Sequence, residues 1–191
     1  MSVKKRSLAW YILKWRASAF IVLGMKDRAM EVFEEMLKQF PGDDYAIGSL
    51  AFMKTELGDK DGAIADYKRL IASSNASAEI WYNLGFLQEE VGQVQDAEHS
   101  FKQAIKLNEK LDQAWYGLGL ALIQLQRFDE AIKALKKNTQ LQPMSPYAWY
   151  QLARVYVERN QPDEASKIIL HLKGFEPKFA KQLERETGLA V

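Results

Sequence analysis

The residues able to do chemistry are few and scattered. The two histidines, His99 and His171, stand far apart, with no His-x3-His spacing and no serine or carboxylate set to complete a metal site or a catalytic dyad. Both read as solvated surface side chains. Cysteine is absent, which removes disulfides, thiolate nucleophiles and cysteine-ligated zinc. Gly58-Asp59-Lys60-Asp61-Gly62 opens like a calcium loop, but the closing position that must supply a bidentate glutamate is Leu70. That run reads as a turn and a helix cap. No glycine-rich phosphate cradle is present, and Glu34-Glu35 and Glu89-Glu90 sit among lysines as a solvated helical face does. The chain therefore reads as a protein without catalytic, cofactor-binding or metal-binding residues and without a small-molecule substrate.

What the sequence does contain is a repeat. Trp81, Trp115 and Trp149 recur every 34 residues. Each is followed by a leucine (Leu84, Leu118, Leu152), a small residue (Gly85, Gly119, Ala153), an alanine (Ala97, Ala131, Ala165) and a large apolar residue (Phe101, Leu135, Ile169) at fixed offsets. Stepping back recovers Leu50, Ala51, Gly58, Ala63 and Tyr67, then Ala17, Phe20, Gly24, Ala29 and Phe33. The units are 10–43, 44–77, 78–111, 112–145 and 146–179, with no insertion between them.

Within a unit, positions 4, 7, 8 and 11 fall on one helical face, and so do positions 20, 24 and 27. Each unit thus predicts two antiparallel helices, A and B, approaching closely where positions 8 and 20 lack bulk. Asp27, Asp61, Asp129 and Asp163 stand at position 18, where they are expected to cap helix B. Pro41, Pro143 and Pro177 stand at position 32, where the chain must turn. If the position-4 tryptophans are buried, Trp81→Ala or Trp115→Ala costs about 3–5 kcal/mol. A further helix over about 178–187 carries Phe179 and Leu183 on one side and charged residues on the other, the polar end a stack requires.

This pattern, W-x2-L-G-x2-Y…A-x3-F…P at a period of 34, resembles the tetratricopeptide repeat and covers nearly the whole chain. The resemblance implies an all-α, right-handed superhelical solenoid of antiparallel helix pairs, a single domain over 1–191 with a C-terminal capping helix. It also implies a protein-interaction scaffold or adaptor that holds a partner segment in a concave groove lined by helices A. The groove is expected to carry Tyr45, Phe52, Tyr82, Phe86, Glu89, Tyr116, Leu120, Ile123, Tyr150 and Arg154. Phe52, Phe86 and Leu120 stand at position 9, where the family usually has small or polar residues, and suggest an apolar groove. Family members that clamp a C-terminal carboxylate use lysine, arginine and asparagine. The matching positions here hold residues such as Gly48, Phe52, Asn83 and Gln113, which supply no cationic clamp.

The first unit departs from the pattern. Arg16 occupies position 7, where leucine belongs, and the positions that pack on a preceding repeat are apolar (Ile12, Ala19, Leu23) although no repeat precedes them. Residues 1–26 carry Lys4, Lys5, Arg6, Lys14, Arg16 and Lys26 and no acid. An N-terminal interaction surface of Trp10, Ile12, Trp15, Ala19 and Leu23 is expected to meet an anionic membrane surface, a second copy of the chain, or nothing. The alternative function is accordingly a peripheral membrane-associated assembly factor docked through this helix; a third is a non-catalytic subunit or regulator of an enzyme. The formal net charge of +1 gives no global attraction to nucleic acid. No run of about 18 uncharged apolar residues exists, since Lys14 and Arg16 break the best candidate, Leu8 to Leu23. A cytoplasmic protein is the expectation.

Overall fold

The computed structural model describes residues 6–73 and 76–190; Lys4 and Lys5, part of the basic N-terminal stretch, lie outside them. Among the described residues the structure is all-α, with eleven helices: α1 (Leu8–Val22), α2 (Lys26–Gln39), α3 (Asp44–Glu56), α4 (Lys60–Ala72), α5 (Ala78–Glu90), α6 (Val94–Leu107), α7 (Asp112–Gln124), α8 (Phe128–Leu141), α9 (Pro146–Glu158), α10 (Pro162–Lys173) and α11 (Pro177–Thr187). Odd-numbered helices up to α9 are the predicted helices A, even-numbered ones the helices B, and α11 is the predicted end helix. They form two compact units, Met1–Leu87 and Gln88–Val191, with the boundary inside α5.

Each A helix turns into its B helix through the same device. The three-residue turn places its middle residue in the left-handed region: Gly24, Gly58, Gly92, Gln126 and Asn160, with φ between 54° and 82°. The amide of the next residue then reaches back to a carbonyl five residues earlier, as in Met25 N–H to Phe20 O at 2.8 Å and Arg127 N–H to Leu122 O at 2.9 Å. This is the Schellman closure, which satisfies carbonyls left open at a helix end. Glycine holds that conformation without a Cβ penalty; Gln126 does not.

In the first unit, α1 packs on α2, α2 on α3 and α3 on α4. Its core joins Trp10, Leu13, Ala17, Ala29, Phe33, Met36 and Leu50. In the second unit, α7 packs on α8 and α9 on α10, with α11 against both α9 and α10. Leu135, Leu152, Ile169, Leu172 and Leu183 are its fully buried centre. The small residues act as predicted. The alanines at position 20 are wholly buried, and a Cβ on Gly119 would lie 2.6 Å from Leu135 Cδ2.

Two expectations need correction. The position-18 aspartates do not cap helix B, because each helix starts one residue before them. Of the residues that do stand at the cap in these five helices, only Asp59 accepts a hydrogen bond, from Gly62 N–H at 3.0 Å. The aspartates sit in the first turn and act through their charge at the positive helix end. The position-4 tryptophans are only half-buried. Trp115 and Trp149 pin the turn before their own helix, donating from Nε1 to Glu109 O and Pro143 O at 2.8 and 2.9 Å. Truncation therefore removes a hydrogen bond and part of a packed ring, and the cost falls below that of a fully buried one.

The contact between position 11 of helix A and position 23 of helix B changes chemistry along the chain. In the second repeat it is an ion pair, Lys54 Nζ to Asp66 Oδ2 at 2.6 Å, with Arg69 on the other oxygen. In the third it is a buried neutral bond, Ser100 Oγ to Gln88 Oε1 at 2.6 Å. The fourth has Leu122 and Ala134, both buried. Lys54→Met is expected to lower stability by about 1–3 kcal/mol, since it strips a buried carboxylate of its better partner. Lys54→Leu combined with Asp66→Ala, the pair of the fourth repeat, should recover most of that loss in urea denaturation. By the same measurement, Gln126→Gly should stabilise the protein by about 1 kcal/mol, releasing the strain of a side chain in the left-handed region.

Candidate interaction surfaces

The expected groove residues divide between the two units. In the first, Phe52 is 58% exposed and Phe86 42%, far more than an apolar ring needs for packing within its own unit. Tyr82 stands beside Phe86, with ring centroids 6.5 Å apart. Tyr45 differs: it packs against Phe33 and Trp10, and Lys14 lies over its ring at 5.0 Å. It belongs to the core edge rather than to an open surface. Gly48 stands where Tyr82, Tyr116 and Tyr150 stand in the later repeats, and its missing side chain leaves a notch between α3, α4 and α5. Asn83, at the rim, donates to the Tyr67 hydroxyl at 3.3 Å.

In the second unit, Leu120 and Ile123 are half-buried. Glu89 accepts a hydrogen bond from Gln124 Nε2 at 2.5 Å. Burial pushes the Tyr116 phenol above its usual value, although Gln151 hydrogen-bonds it. Tyr150 donates to Glu186 of α11 at 2.5 Å and accepts from Gln182. Burial first, and that carboxylate second, raise its pKa also. Arg154 lies over the Tyr150 ring at 5.8 Å. The end helix thus holds the position-5 tyrosine of the fifth repeat through its hydroxyl, which the sequence pattern did not indicate because the bond joins residues 36 apart.

The N-terminal helix carries a second surface. Leu8, Ile12, Trp15, Ala19 and Val22 follow the i, i+4, i+7 rhythm of one helical face, and all are exposed, Trp15 by 74% and Val22 by 86%. Leu23 continues it at 67%. Leu8 and Val22 were not among the expected residues, although the spacing points to them. Trp10 does not belong to this surface. It is 2% exposed, because it stands on the opposite side of α1 and donates from Nε1 to Asp43 at 2.8 Å. Asp43 in turn caps α3 by accepting from Ala46 N–H at 3.0 Å, so Trp10 ties α1 to the start of the next pair.

The basic residues of this region are not bare charges. Arg16 pairs with Glu35 at 3.2 Å, Lys26 with Glu56 at 3.4 Å, and Arg6 lies over the Trp10 ring and 3.9 Å from Asp43. Arg16 therefore fills the leucine position by facing outward to an acid on α2. The Arg16 and Lys26 pairs are exposed and screened by salt, and each is weak.

Among the described residues no three His, Cys, Asp or Glu side chains gather as a metal ligand set, and no helix is long and apolar enough to cross a membrane. His171 packs against Trp149, with centroids 4.6 Å apart and the rings tilted by 59°, which gives it a packing role.

Comparison with known proteins agrees with this architecture. The pattern of the cilia and flagella-associated protein 70 middle TPR-like domain matches residues 47–173, and that of the tetratricopeptide repeat matches 15–43. No curated protein matches the sequence. Among solved structures, the crystal structure of MamA protein aligns with a TM-score of 0.81 and 25% identity over 96% of this chain and 97% of that one. YrrB, described as a TPR protein with an unusual peptide-binding site, aligns with a TM-score of 0.81 and 17% identity over 88% of each chain. A tetratricopeptide repeat protein from Parabacteroides merdae aligns with a TM-score of 0.83 and 20% identity, over 95% of this chain and 75% of that one. The last two likenesses are of fold.

The tyrosines allow a test of the burial described above. Tyr67, Tyr116 and Tyr150 are raised from the ordinary value of 10.0, Tyr67 chiefly by burial. A group raised in the folded state lends stability that is present below its unfolded pKa and lost as pH climbs through the folded one. Absorbance titration should show late-ionising phenols above pH 10, fewer in Tyr116→Phe, with stability falling over that same alkaline window.

Proposed function

That this chain belongs to the tetratricopeptide-repeat family, in the group of the cilia and flagella-associated protein 70 middle TPR-like domain, is the premise from which we propose its role. It is a protein–protein interaction module and not an enzyme. Within that role, we infer a peripheral assembly factor that docks on a membrane surface through α1 and presents the rest of the array to protein partners.

The observation that carries this reading is the apolar stripe on α1. A run of Leu8, Ile12, Trp15, Ala19, Val22 and Leu23 left open to solvent is costly, at roughly 25 cal/mol per Å² of apolar surface. It also suits the boundary between headgroups and acyl chains, where tryptophan is favoured. Arg6, Lys14, Arg16 and Lys26 belong to the same segment, with Arg6 and Lys14 over the Trp10 ring on the far side of α1 from the stripe. Since three of them already sit beside carboxylates, the apolar face supplies most of the attraction and the charges add a salt-sensitive share.

A second reading concerns the other surface. Exposed Phe52 and Phe86 support capture of a partner segment along helices A of the first unit.

Co-sedimentation with vesicles containing anionic lipid tests the first reading. The intact chain should pellet with the vesicles, partly released at high salt, and Trp15→Glu should remain in the supernatant while keeping its helical circular dichroism. If the intact chain stays in the supernatant at every lipid concentration, membrane docking is lost. Sedimentation velocity that shows a Trp15-dependent dimer instead assigns the stripe to a second copy. For the second reading, Phe86→Ser should reduce partner capture without unfolding the array.

A further inference from the structure

The notch at Gly48 has a shape that the rest of the chain explains. Position 5 of helix A carries tyrosine in the third, fourth and fifth repeats (Tyr82, Tyr116, Tyr150) and glycine in the second. In the third repeat that tyrosine stands beside a phenylalanine at position 9, Tyr82 beside Phe86. The second repeat retains the phenylalanine, Phe52, but not its companion. What remains is a cavity of about 190 Å³ beside Gly48, walled by Phe52, Tyr67, Leu70 and Ile80. Asp44 and Asn83 stand at its rim. The space is real at the Cβ position also: a methyl placed on Gly48 would meet nothing closer than Leu70 Cδ1 at 3.6 Å.

Resting on the reading that the inner face takes a partner segment, we propose that this notch is the anchor site, and that it receives a tyrosine side chain from the partner. The volume suits one aromatic ring, since an apolar cavity of about 150 Å³ is enough to bind benzene. The guest ring would complete beside Phe52 the aromatic pair that Tyr82 and Phe86 form one repeat later, in the offset or edge contact such rings prefer. The rim decides between tyrosine and phenylalanine. Asp44 accepts from the Ser73 hydroxyl at 2.9 Å through one carboxylate oxygen, and an ionised carboxylate has further lone pairs to accept a phenolic O–H. A buried tyrosine hydroxyl needs such a partner, and a carboxylate already plays that part for Tyr150, whose hydroxyl donates to Glu186. An aliphatic guest would fill less of the space and leave Asp44 unused.

The test uses the full chain and N-acetyl-tyrosinamide as probe, followed by amide shifts in two-dimensional NMR. Saturable shifts centred on Gly48, Phe52, Ile80 and Asn83 are expected. N-acetyl-leucinamide should bind at least tenfold more weakly, and Asp44→Ala should weaken the tyrosine probe several-fold. Gly48→Tyr, which installs the residue of the later repeats, should fill the notch and abolish the shifts. Gly48→Ala should fold and still bind, so that loss in the tyrosine variant is not a folding effect. The proposal is overturned if no saturable shift occurs, if leucinamide equals the tyrosine probe, or if Gly48→Tyr binds unchanged. Should Phe86→Ser lose partner capture while Gly48→Tyr captures as before, the inner-face reading stands and the anchor site falls.

Discussion

The fold depends on how closely two helices can approach within a repeat. Alanine at position 20 is wholly buried in every unit, and the facing position 8 is never larger than alanine. Where it is glycine, as at Gly119, even a Cβ would collide with Leu135. Close approach brings the large residues of helix B, Phe33 and Leu135 among them, into complete burial. In all five pairs the connecting turn is three residues long with its middle residue left-handed, the closure that keeps the two helices this near. Glycine at positions 24, 58 and 92 follows from packing several residues away.

Much of this was legible because a repeat compares each residue with its own counterparts. Tryptophan, leucine and alanine at fixed offsets mark the core face without any need to judge a single helix alone. Side chains whose partners lie beyond their own helix were harder to read. Trp10 looked like part of an exposed aromatic helix until its indole was found on Asp43. The aspartates at position 18 looked like caps, but a one-residue difference in where a helix begins turns a cap into a first-turn charge. Arg16 in a leucine position resolves only once Glu35 is placed beside it. In each case the deciding partner is 19 or more residues away, or depends on backbone dihedrals that residue type alone does not determine.

The interaction surfaces were legible to different degrees. Exposure of Phe52 and Phe86 follows from their position opposite helix B, and that of Ile12 and Leu23 from their place away from the buried face of Trp10, Leu13 and Ala17. The notch beside Gly48 is visible in sequence only as an absence, a glycine where its counterparts have tyrosine. The neutralisation of Arg16 and Lys26 by acids on other helices was not visible at all. Net charge along a segment counts side chains, whereas the field it presents depends on which opposite charges the fold brings near.

Repeated architecture carries a hazard, since one helix A resembles another and could dock on the wrong partner. The changing chemistry between positions 11 and 23 bears on that. If α3 paired with α8, Lys54 would lie against Ala134, with its ammonium half-withdrawn from water and no carboxylate to meet it. If α7 paired with α4, Leu122 would seal Asp66 under hydrocarbon. Each exchange leaves a charge stranded, while the native pairing leaves none, so the ion pair, the amide–hydroxyl bond and the apolar contact serve as address labels that distinguish near-identical modules as the chain folds.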